Sequence, residues 1–387
     1  MKIIIAPDSF KDCLTSPDVA KFIEMGIRNV FPDANIKLVP MADGGEGTVV
    51  TLVTATNGKI FHKKVHDPLM REITAHFGVL GDGETAVIEM ASASGIELLK
   101  ENERNPWKTT SYGTGELIKH ALKKSCRKII IGIGGSATND AGTGMLQALG
   151  IQFLDANKCE IESGGGALKD LVSIKTDKLD QRLKESKIII ASDVLNPLLG
   201  KSGASVVYGP QKGADSNMVI QLDSNLQHFS DVVRQQQGVS VENIPGSGAA
   251  GGLGAGILAF LPSEIKQGFD IVKEVVELEK HMQDADLVIT AEGKIDSQTA
   301  YGKTPAGVAG IAGKYNIPVI AFAGIVDKGI NELYKKGFSA IIPIANKPMS
   351  IDESIKKAGE LLIMAAEQSM RLIQTGKLLS NRKKRNQ

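Results

Sequence analysis

Acidic side chains follow several apolar segments of this sequence, and a carboxylate at the end of a buried strand can bind a metal ion or accept a proton. The acids in such positions are Asp8 in APDSFK, Asp43 and Glu46 in ADGGEGT, Asp193 in ASDVLNPL, and Glu292 and Asp296 in AEGKIDSQT. Any one of them could instead cap a helix. Their recurrence beside glycine loops favours Mg²⁺, which one or two carboxylates hold together with substrate phosphates, and hence phosphoryl transfer.

Asp193 is the acid that we expect to take the proton from an alcohol substrate. The segment KIIIASD leads from an apolar strand straight into this residue, and Asn196-Pro197 then turns the chain. Phosphoryl transfer to an alcohol needs a base or an orienting acceptor near the hydroxyl, and a strand end can position one. A turn-forming role is the alternative for Asp193.

The stretch GIGGSATNDAG, from Gly132 to Gly142, follows the apolar run KIII and predicts a strand that leads into a glycine loop. Bare backbone N–H groups and a helix N-terminus both favour an anion, so the loop suits phosphate. The predicted nucleotide contacts are Gly134, Gly135, Ser136, Thr138 and Asn139, together with Gly248 and Gly251 of a second G-x-G-x-x-G match. Asp140 is assigned to the nucleotide and metal side, with a helix cap as the alternative.

The same loop permits a second interpretation. Gly132, Gly134 and Ala137 fit the pattern G-x-G-x-x-A, and Asp155 follows about 20 residues on, as in a dinucleotide-binding dehydrogenase. Against it, the three glycines of TNDAGTGMLQALG weaken the helix that such a dehydrogenase needs. A Walker A loop is excluded, because Leu195 and Ser297 stand where its first glycine is required.

Three cations, Lys11, Arg71 and Lys303, lie in loops rich in glycine, proline or acids. Each could hold a substrate carboxylate or the transferring phosphoryl group, and solvation at the surface is the alternative. The six histidines have no metal-ligand spacing, so we do not expect them to act in catalysis.

Apolar strands alternate with helices at both ends of the chain. KIIIA, a helix capped by Ser16, and IKLVPM form a βαβ unit, and DLVITAE, IPVIAFAG and SAIIPIA resume the rhythm near the C-terminus. The middle runs KIFHKKVH, EITAHFGVL and ETAVIEM follow one another without helices, which favours a mixed sheet. The fold class is therefore α/β, a parallel-sheet domain into which a second, mixed-sheet α/β domain is inserted.

The predicted parallel-sheet domain comprises residues 1–56 and 286–375, and the inserted domain residues 57–285. We expect the ligand site in the cleft between them. Residues 376–387 are basic and predict a disordered tail.

Charge and cysteine content limit the partners. The net charge is +1, and no stretch reaches the roughly 18 apolar residues of a membrane span, so neither nucleic acid nor a membrane is expected. Three cysteines without a C-x-x-C pair indicate neither a disulfide framework nor a zinc site. These features predict a cytoplasmic protein that binds small molecules.

The motifs together resemble the glycerate kinases of the first type, which phosphorylate D-glycerate with ATP. The matching stretches are APDSFKDCLTS, MADGGEGT, HDPL, IGIGGSATNDAGTGMLQALG, SDVLNPL, YGPQKGA, GSGAAGGLGAG and TAEGKIDSQTAYGKTP, which span residues 1 to about 375. The resemblance implies a flavodoxin-like domain with a second α/β domain inserted, and Mg²⁺-ATP as cofactor. One local departure is Met70 in HDPLMR, where we expect a glycine before the arginine.

Carried over by motif, Asp193 is implied to activate the glycerate hydroxyl, and Lys11 and Arg71 complete the predicted catalytic group. The predicted substrate contacts are Asp8, Ser9, Lys11, Asp43, Arg71, Asp296 and Lys303, and the predicted metal ligands are Asp140, Asp193 and Glu292. The predicted products are ADP and phosphoglycerate, with 2-phosphoglycerate favoured over 3-phosphoglycerate. A homodimer is a further possibility. The alternatives are an NAD-dependent dehydrogenase of a small hydroxy acid and a metabolite-sensing protein without turnover.

Overall fold

The computed structural model describes residues 1–11, 13–300 and 303–385. Asp12, Tyr301, Gly302, Asn386 and Gln387, which belong to the motifs and the tail named above, lie outside the described residues. The chain forms two compact units. We call Met1–Asp43 with Val272–Gln387 the terminal unit, and Gly44–Ile271 the inserted unit.

The strands are β1 Lys2–Ile5, β2 Asn35–Leu38, β3 Lys59–His66, β4 Glu72–Val79, β5 Thr85–Glu89, β6 Lys128–Gly132, β7 Gln152–Leu154, β8 Ser173–Lys175, β9 Lys187–Ala191, β10 Ser263–Lys266, β11 Leu287–Ile295, β12 Val319–Val326 and β13 Phe338–Pro343. The α-helices are α1 Ser16–Arg28, α2 Thr48–Ala55, α3 Ala91–Ser94, α4 Tyr112–Lys123, α5 Thr143–Ala148, α6 Ala204–Tyr208, α7 Ser216–Gln237, α8 Ala249–Phe260, α9 Gly268–Val275, α10 Leu278–Met282, α11 Thr304–Lys314, α12 Asn331–Lys335 and α13 Ile351–Arg385.

The terminal unit contains a five-stranded sheet in the order β13-β12-β11-β1-β2, and its strands are parallel. Counted along this unit alone, the order is the 2-1-3-4-5 of flavodoxin-like folds. The parallel sheet predicted from the sequence is confirmed. The strand order reverses between β1 and β11, and in such sheets ligands bind at the carboxyl ends of the two strands that flank the reversal.

Helices cover the terminal sheet because its strands are apolar on both faces. Ile3 and Ile5 pack in one core with residues of α1 and α13, while the alternate residue Ile4 is also fully buried. The two helices approach closely at Gly26, where a Cβ would lie 2.3 Å from the carbonyl oxygen of Ile363. Helix α1 is capped one residue earlier than the sequence predicted.

The cap of α1 is Thr15, not Ser16. Thr15 Oγ1 accepts a hydrogen bond from the amide of Asp18 at 3.3 Å, and Pro17 occupies the first turn, where its missing N–H costs nothing.

The inserted unit contains a six-stranded mixed sheet in the order β10-β9-β6-β5-β4-β3. β3, β4 and β5 pair antiparallel, whereas β5, β6, β9 and β10 pair parallel. Here the parallel strands follow one another across the sheet in a single direction, without a reversal. A separate hairpin of β7 and β8 lies outside this sheet.

The boundaries between the units lie at residues 43/44 and 271/272, whereas the sequence predicted 56/57 and 285/286. Helix α2 belongs to the inserted unit because it packs on β4 and β5, and its Val49 amide donates to Glu89 Oε1 at 2.7 Å. Helix α10 belongs to the terminal unit, where it packs against α11.

Helix α13 continues to Arg385, where the sequence predicted a disordered tail from residue 376. Leucine, lysine and arginine, which dominate this segment, are good helix formers, and they extend a helix already anchored on α1. Within the described ranges, no helix has both the length and the apolar character that crossing a membrane requires.

Candidate active site

The reversal in the terminal sheet brings two predicted acids side by side. Beyond β1, the Asp8 amide donates to the carbonyl oxygen of Ala291 in β11 at 2.8 Å. Because Glu292 follows Ala291 directly, the strand pairing itself places Asp8 next to Glu292. Asp43 follows the extension of β2, whose Met41 amide donates to the Pro7 carbonyl oxygen at 2.9 Å.

The Asp8 carboxyl holds its proton far more tightly than an ordinary aspartate. Burial, then the charge of Asp43 and, more weakly, that of Glu292, raise its pKa to about 7. The Thr304 hydroxyl and the Ser9 amide, which donates to Asp8 Oδ1 at 2.7 Å, oppose the rise. The three acids therefore form one electrostatically coupled group, here called the terminal acid group.

Lys303 compensates part of this negative charge. Its Nζ lies 2.8 Å from Glu292 Oε1, and Thr299 Oγ1 lies 3.5 Å from Glu292 Oε2. Burial nevertheless raises the pKa of Glu292, against the effect of Lys303. Asp296 lies in the same loop, 3.5 Å from the ammonium of Lys294.

Lys11 and Ser9 are carried by the loop that follows β1. This loop lies close to the backbone of β11, because a Cβ at Gly293 would be 3.5 Å from Phe10 Cα and 3.6 Å from the Lys11 nitrogen. The Lys11 side chain is exposed. A cation and a hydroxyl are thus placed at the strand ends that carry Asp8 and Glu292.

In the inserted unit, the loop after β6 exposes bare backbone. Gly134 and Gly135 are exposed, whereas Ser136 and the four residues after it are buried. Gly135 has φ +70°, a conformation that favours glycine, and its carbonyl oxygen accepts from the Ile96 amide at 2.9 Å. Only the two glycines therefore present the loop to solvent.

The backbone at Gly44 lies across the ends of the neighbouring strands. A Cβ at Gly132 would be 2.4 Å from the Gly44 carbonyl oxygen, and one at Gly44 would be 2.9 Å from Ala191 Cβ and 3.0 Å from Gly268 Cα. Glycine is required here because backbone approaches backbone. The carboxyl ends of β6 and β9 consequently meet a surface with few side chains.

Asp193 is exposed just beyond β9. Its Oδ1 accepts a hydrogen bond from the Gly268 amide at 3.0 Å. Because Gly268 begins α9 directly after β10, the contact ties the carboxylate to the end of the neighbouring strand and orients it.

Asp140 does not present its carboxylate to a metal. It is fully buried, and its oxygens accept from the amide and hydroxyl of Ser111, both at 2.8 Å, and from the amides of Gly142 at 3.1 Å and Gly144 at 3.3 Å. Burial raises its pKa, and these donors oppose the rise. The contacts with the Gly142 and Gly144 amides at the start of α5 agree with the alternative stated for Asp140, a helix cap.

Gly248 and Gly251 pack against protein backbone. A Cβ at Gly248 would lie 2.1 Å from the Pro197 carbonyl oxygen, and one at Gly251 would lie 2.0 Å from that of Thr138. Both glycines are buried. They hold the loops that carry Asn139 and Pro197, so the nucleotide contact predicted for them is replaced by a packing role.

Arg71 is engaged by two acids of the inserted unit, the buried Asp67 and the partly exposed Glu103. Its Nε lies 2.6 Å from Asp67 Oδ2, and its Nη1 lies 2.7 Å from Glu103 Oε1. These contacts fix the loop between β3 and β4. They do not place Arg71 with any other predicted catalytic residue.

Two buried charges of the inserted unit were missed in the sequence. Lys212, in the quoted motif YGPQKGA, donates to Ser136 Oγ at 2.6 Å and to the Thr138 carbonyl oxygen at 2.7 Å. Burial lowers its pKa to about 7. Glu89, at the end of ETAVIEM, accepts the Val49 amide, and burial raises its pKa to about 7.

The dinucleotide interpretation fails on its structural context. Helix α5 begins only at Thr143, six residues after Ala137, and has six residues. Asp155 follows β7, which is not part of the parallel sheet, and its Oδ1 accepts from the amides of Asn157 and Cys159 at 2.8 and 2.9 Å. Asp155 is a turn residue rather than a ribose ligand.

Among residues 1–11, 13–300 and 303–385, no three His, Cys, Asp or Glu side chains form a group that could hold a metal ion by themselves. A nucleotide-bound Mg²⁺ needs only one or two carboxylates.

Comparisons with known proteins agree with the geometry. A family model described as the glycerate kinase family matches residues 3–374. The chain is 50% identical over 362 residues to Glycerate kinase of Bacillus subtilis (strain 168), covering 94% of this chain and 95% of that protein. It is 49% identical over 366 residues to Glycerate 2-kinase of Escherichia coli (strain K12), covering 95% and 96%.

A solved structure shares the fold. The crystal structure named for glycerate kinase 2 of Salmonella typhimurium LT2 superposes with a TM-score of 0.90 at 46% identity, and covers 98% of this chain and 99% of that one. The resemblance drawn from the motifs is confirmed, and the dehydrogenase and sensor alternatives are not. The chain belongs to the glycerate kinase family and is an enzyme, a kinase.

Proposed function

We propose that this kinase transfers the γ-phosphoryl group of ATP to a hydroxyl of D-glycerate and releases ADP. The observation that carries the proposal is the exposed Gly134–Gly135 backbone at the end of β6, in a chain whose relatives are named glycerate kinases. We favour 2-phosphoglycerate as the product, because the E. coli relative is named Glycerate 2-kinase.

The nucleotide phosphates are assigned to Gly134 and Gly135. Backbone amides bind phosphate oxygens well where no side chain blocks their approach. Gly135 has a φ of +70°, which favours glycine, so no side chain shields its amide. A Cβ at Gly134 would meet only Gly45 Cα, at 3.8 Å, so the space in front of this residue is open. Ser136, Thr138 and Asn139 are buried, so we assign them to the support of the loop rather than to direct contact.

Asp193 is assigned as the proton acceptor. The glycerate hydroxyl oxygen attacks the γ-phosphorus, the bond from that phosphorus to the bridging oxygen breaks, and ADP leaves. The hydroxyl proton passes to the Asp193 carboxylate. Exposure and the Gly268 contact support this role, since the residue is both reachable and oriented.

The glycerate carboxylate is assigned to the cations at the carboxyl end of the terminal sheet. Lys11 is exposed, and Lys303 is held beside Glu292. An ammonium group pairs with a carboxylate as a point charge. Ser9, Asp43 and Asp296 can bind hydroxyl groups as donors or acceptors.

Mg²⁺ is part of the proposal, and the donor set of the terminal acid group fits it. Asp8 follows β1 and lies beside Glu292 of β11, and a divalent cation would relieve the repulsion that, after burial, raises the pKa of Asp8. Asp140 does not fit, because its oxygens already accept four hydrogen bonds. When bound, Mg²⁺ would neutralise charge on the nucleotide phosphates.

Incubation with ATP, D-glycerate and Mg²⁺, followed by ³¹P NMR of the products, tests the proposal. We expect ADP and 2-phosphoglycerate in equal amounts, and neither product when EDTA removes the metal. Phosphate on the 3-hydroxyl would overturn the regiochemistry, and turnover in EDTA would overturn the Mg²⁺ assignment. Absence of ADP release with glycerate would overturn the reaction. We place this reaction in the cytoplasm, as the cysteine pattern favours.

A further inference from the structure

Lys212 is a charged side chain enclosed in the inserted unit, with 2% of its surface exposed. Its ammonium group donates to Ser136 Oγ at 2.6 Å and to the Thr138 carbonyl oxygen at 2.7 Å. Enclosing an ammonium group is costly, and good hydrogen bonds offset only part of that cost. A fully buried lysine on two loop residues is therefore a candidate for a specific role.

The backbone around Lys212 fixes the direction of its side chain. Pro210 begins a short 3₁₀ turn, and the Lys212 amide donates to the Gly209 carbonyl oxygen at 3.0 Å. Gly213 follows with φ +94°, and a Cβ there would lie 2.2 Å from the Arg104 carbonyl oxygen. The turn is locked on both sides of the lysine, which leaves its stem little freedom.

The two acceptors of Lys212 follow the exposed glycines closely in the sequence. Ser136 follows Gly135, and Thr138 is two residues further on. Two neutral contacts hold the same segment, Thr109 Oγ1 to the Ala137 carbonyl oxygen at 2.7 Å and Asn139 Nδ2 to Ser205 Oγ at 2.9 Å. Of these three tethers, Lys212 alone carries charge, and it reaches the residue nearest to the glycines.

We propose that Lys212 is a positioning residue for phosphoryl transfer: its ammonium group fixes Ser136 and Thr138 so that the amides of Gly134 and Gly135 keep the geometry that receives nucleotide phosphates. The inference rests on the nucleotide placement in the proposed function. Lys212 acts through the loop and does not touch the substrate.

The first test is Lys212→Met, which keeps the length of the stem and removes the ammonium group. We expect the dissociation constant of ADP, measured calorimetrically, and KM for ATP to rise by about tenfold or more, while KM for glycerate changes less than about threefold. Lys187→Met is the matched control, since Lys187 pairs with Glu264 at the amino end of β9 and is half exposed or more. It should bind ADP like the wild type.

A variant that keeps the lysine covers the case in which Lys212→Met does not fold. Ser136→Ala removes one of the two acceptors and leaves the bond to Thr138, so we expect ADP affinity to fall about threefold to tenfold. Wild-type ADP affinity in Ser136→Ala, or in a folded Lys212→Met, would overturn the role of Lys212. So would an increase confined to KM for glycerate.

The ADP measurement separates this inference from the proposed reaction. If the wild type binds ADP but does not phosphorylate glycerate, the proposed substrate is wrong, while loss of ADP affinity in Lys212→Met still supports the positioning role. If the wild type phosphorylates glycerate and both variants bind ADP normally, the reaction stands and the role of Lys212 is wrong.

Discussion

The carboxyl ends of the two sheets carry different chemistry. In the terminal unit, acidic side chains lie close to one another, and burial, followed by the charges of Asp43 and Glu292, raises the pKa of Asp8 to about 7. In the inserted unit, Glu89, Asp140 and Lys212 are buried and hydrogen-bonded to other groups of the same unit. Beyond β6 and β9, that unit exposes the backbone of Gly134 and Gly135 and the acid Asp193.

Strand order accounts for part of this difference. The reversal between β1 and β11 sends the two following connections to opposite sides, which leaves a crevice at the strand ends where side chains can gather. The order β5-β6-β9-β10 has no reversal, so the loops at the ends of neighbouring strands pack against one another. Close backbone approaches, such as that of Gly132 to Gly44, require glycine there. The same signal, an acid after a strand, therefore has different meanings in the two units.

Asp193→Asn should have the largest effect on activity, because it removes the proposed base from the inserted unit. We expect kcat to fall by about a thousandfold, within the range of a positioned general base, and the melting temperature to change little, since an amide oxygen can still accept from Gly268. Asp223→Asn is the matched control: Asp223 also accepts a backbone amide, that of Gly200 at 3.2 Å. Activity within tenfold of wild type in Asp193→Asn would exclude Asp193 as the base.

Gly135→Ala tests whether exposed backbone is the functional feature of the inserted unit. The added Cβ would meet Ala91 Cβ at 3.4 Å, so space permits it, but φ +70° strains alanine by about 1 kcal/mol. We expect KM for ATP to rise about tenfold, because relief of the strain shifts the loop amides. Gly200→Ala has a similar φ of +82° with nothing within 4 Å, and should lose similar stability at unchanged KM. Equal KM values in the two variants would contradict the assignment of Gly135.

Glu89→Gln tests the structural use of buried charge through stability. The folded pKa of about 7 lies above the ordinary 4.5, so the folded state binds the proton more tightly than the unfolded state. Stability from this group is present below about pH 4.5 and is lost as pH rises through about 7. The wild-type melting temperature should fall across this interval more than that of Glu89→Gln. Glu84→Gln, at the exposed residue directly before the same strand, should keep the wild-type slope.

An identical slope in Glu89→Gln and the wild type would show that Glu89 is not the group responsible. The glutamine keeps an acceptor for the Val49 amide, so its effect at low pH should be small.

Local patterns could predict the strands and the acids at their ends. Short runs of β-branched residues such as KIII, bounded by turn residues, favour a buried strand, and the same argument predicts Asp193 at a strand end. The parallel terminal sheet followed from strands that alternate with helices. The limits of the two units did not, because the assignment of α2 depends on its packing against β4 and β5, which no local pattern contains.

The partners of the buried charges could not be predicted either, because they lie far apart in the sequence. Lys212 and Ser136 are 76 residues apart, and Ser111 and Asp140 are 29 apart. A lysine or aspartate in a loop has the same local signature whether it is buried or meets solvent. The local pattern of Asp140 therefore predicts a metal ligand, although its oxygens already accept four hydrogen bonds inside the protein, and no local pattern singles out Lys212.

Arg71→Met should have the smallest effect on activity, because it tests an ion pair that lies apart from the proposed site residues. The pair with the partly exposed Glu103 contributes about 0 to 1 kcal/mol to stability, whereas Asp67 is buried and loses the partner of its Oδ2. We expect kcat/KM for glycerate to stay within about threefold of the wild type, while the melting temperature falls because the buried Asp67 carboxylate is left with only its backbone donors. Lys303→Met provides the contrast, since Lys303 is paired with Glu292 of the terminal acid group. Its loss should raise KM for glycerate, because it removes a cation assigned to the glycerate carboxylate. A large fall in kcat/KM in Arg71→Met alone would return Arg71 to the catalytic group and would show that its ion pairs orient it for substrate.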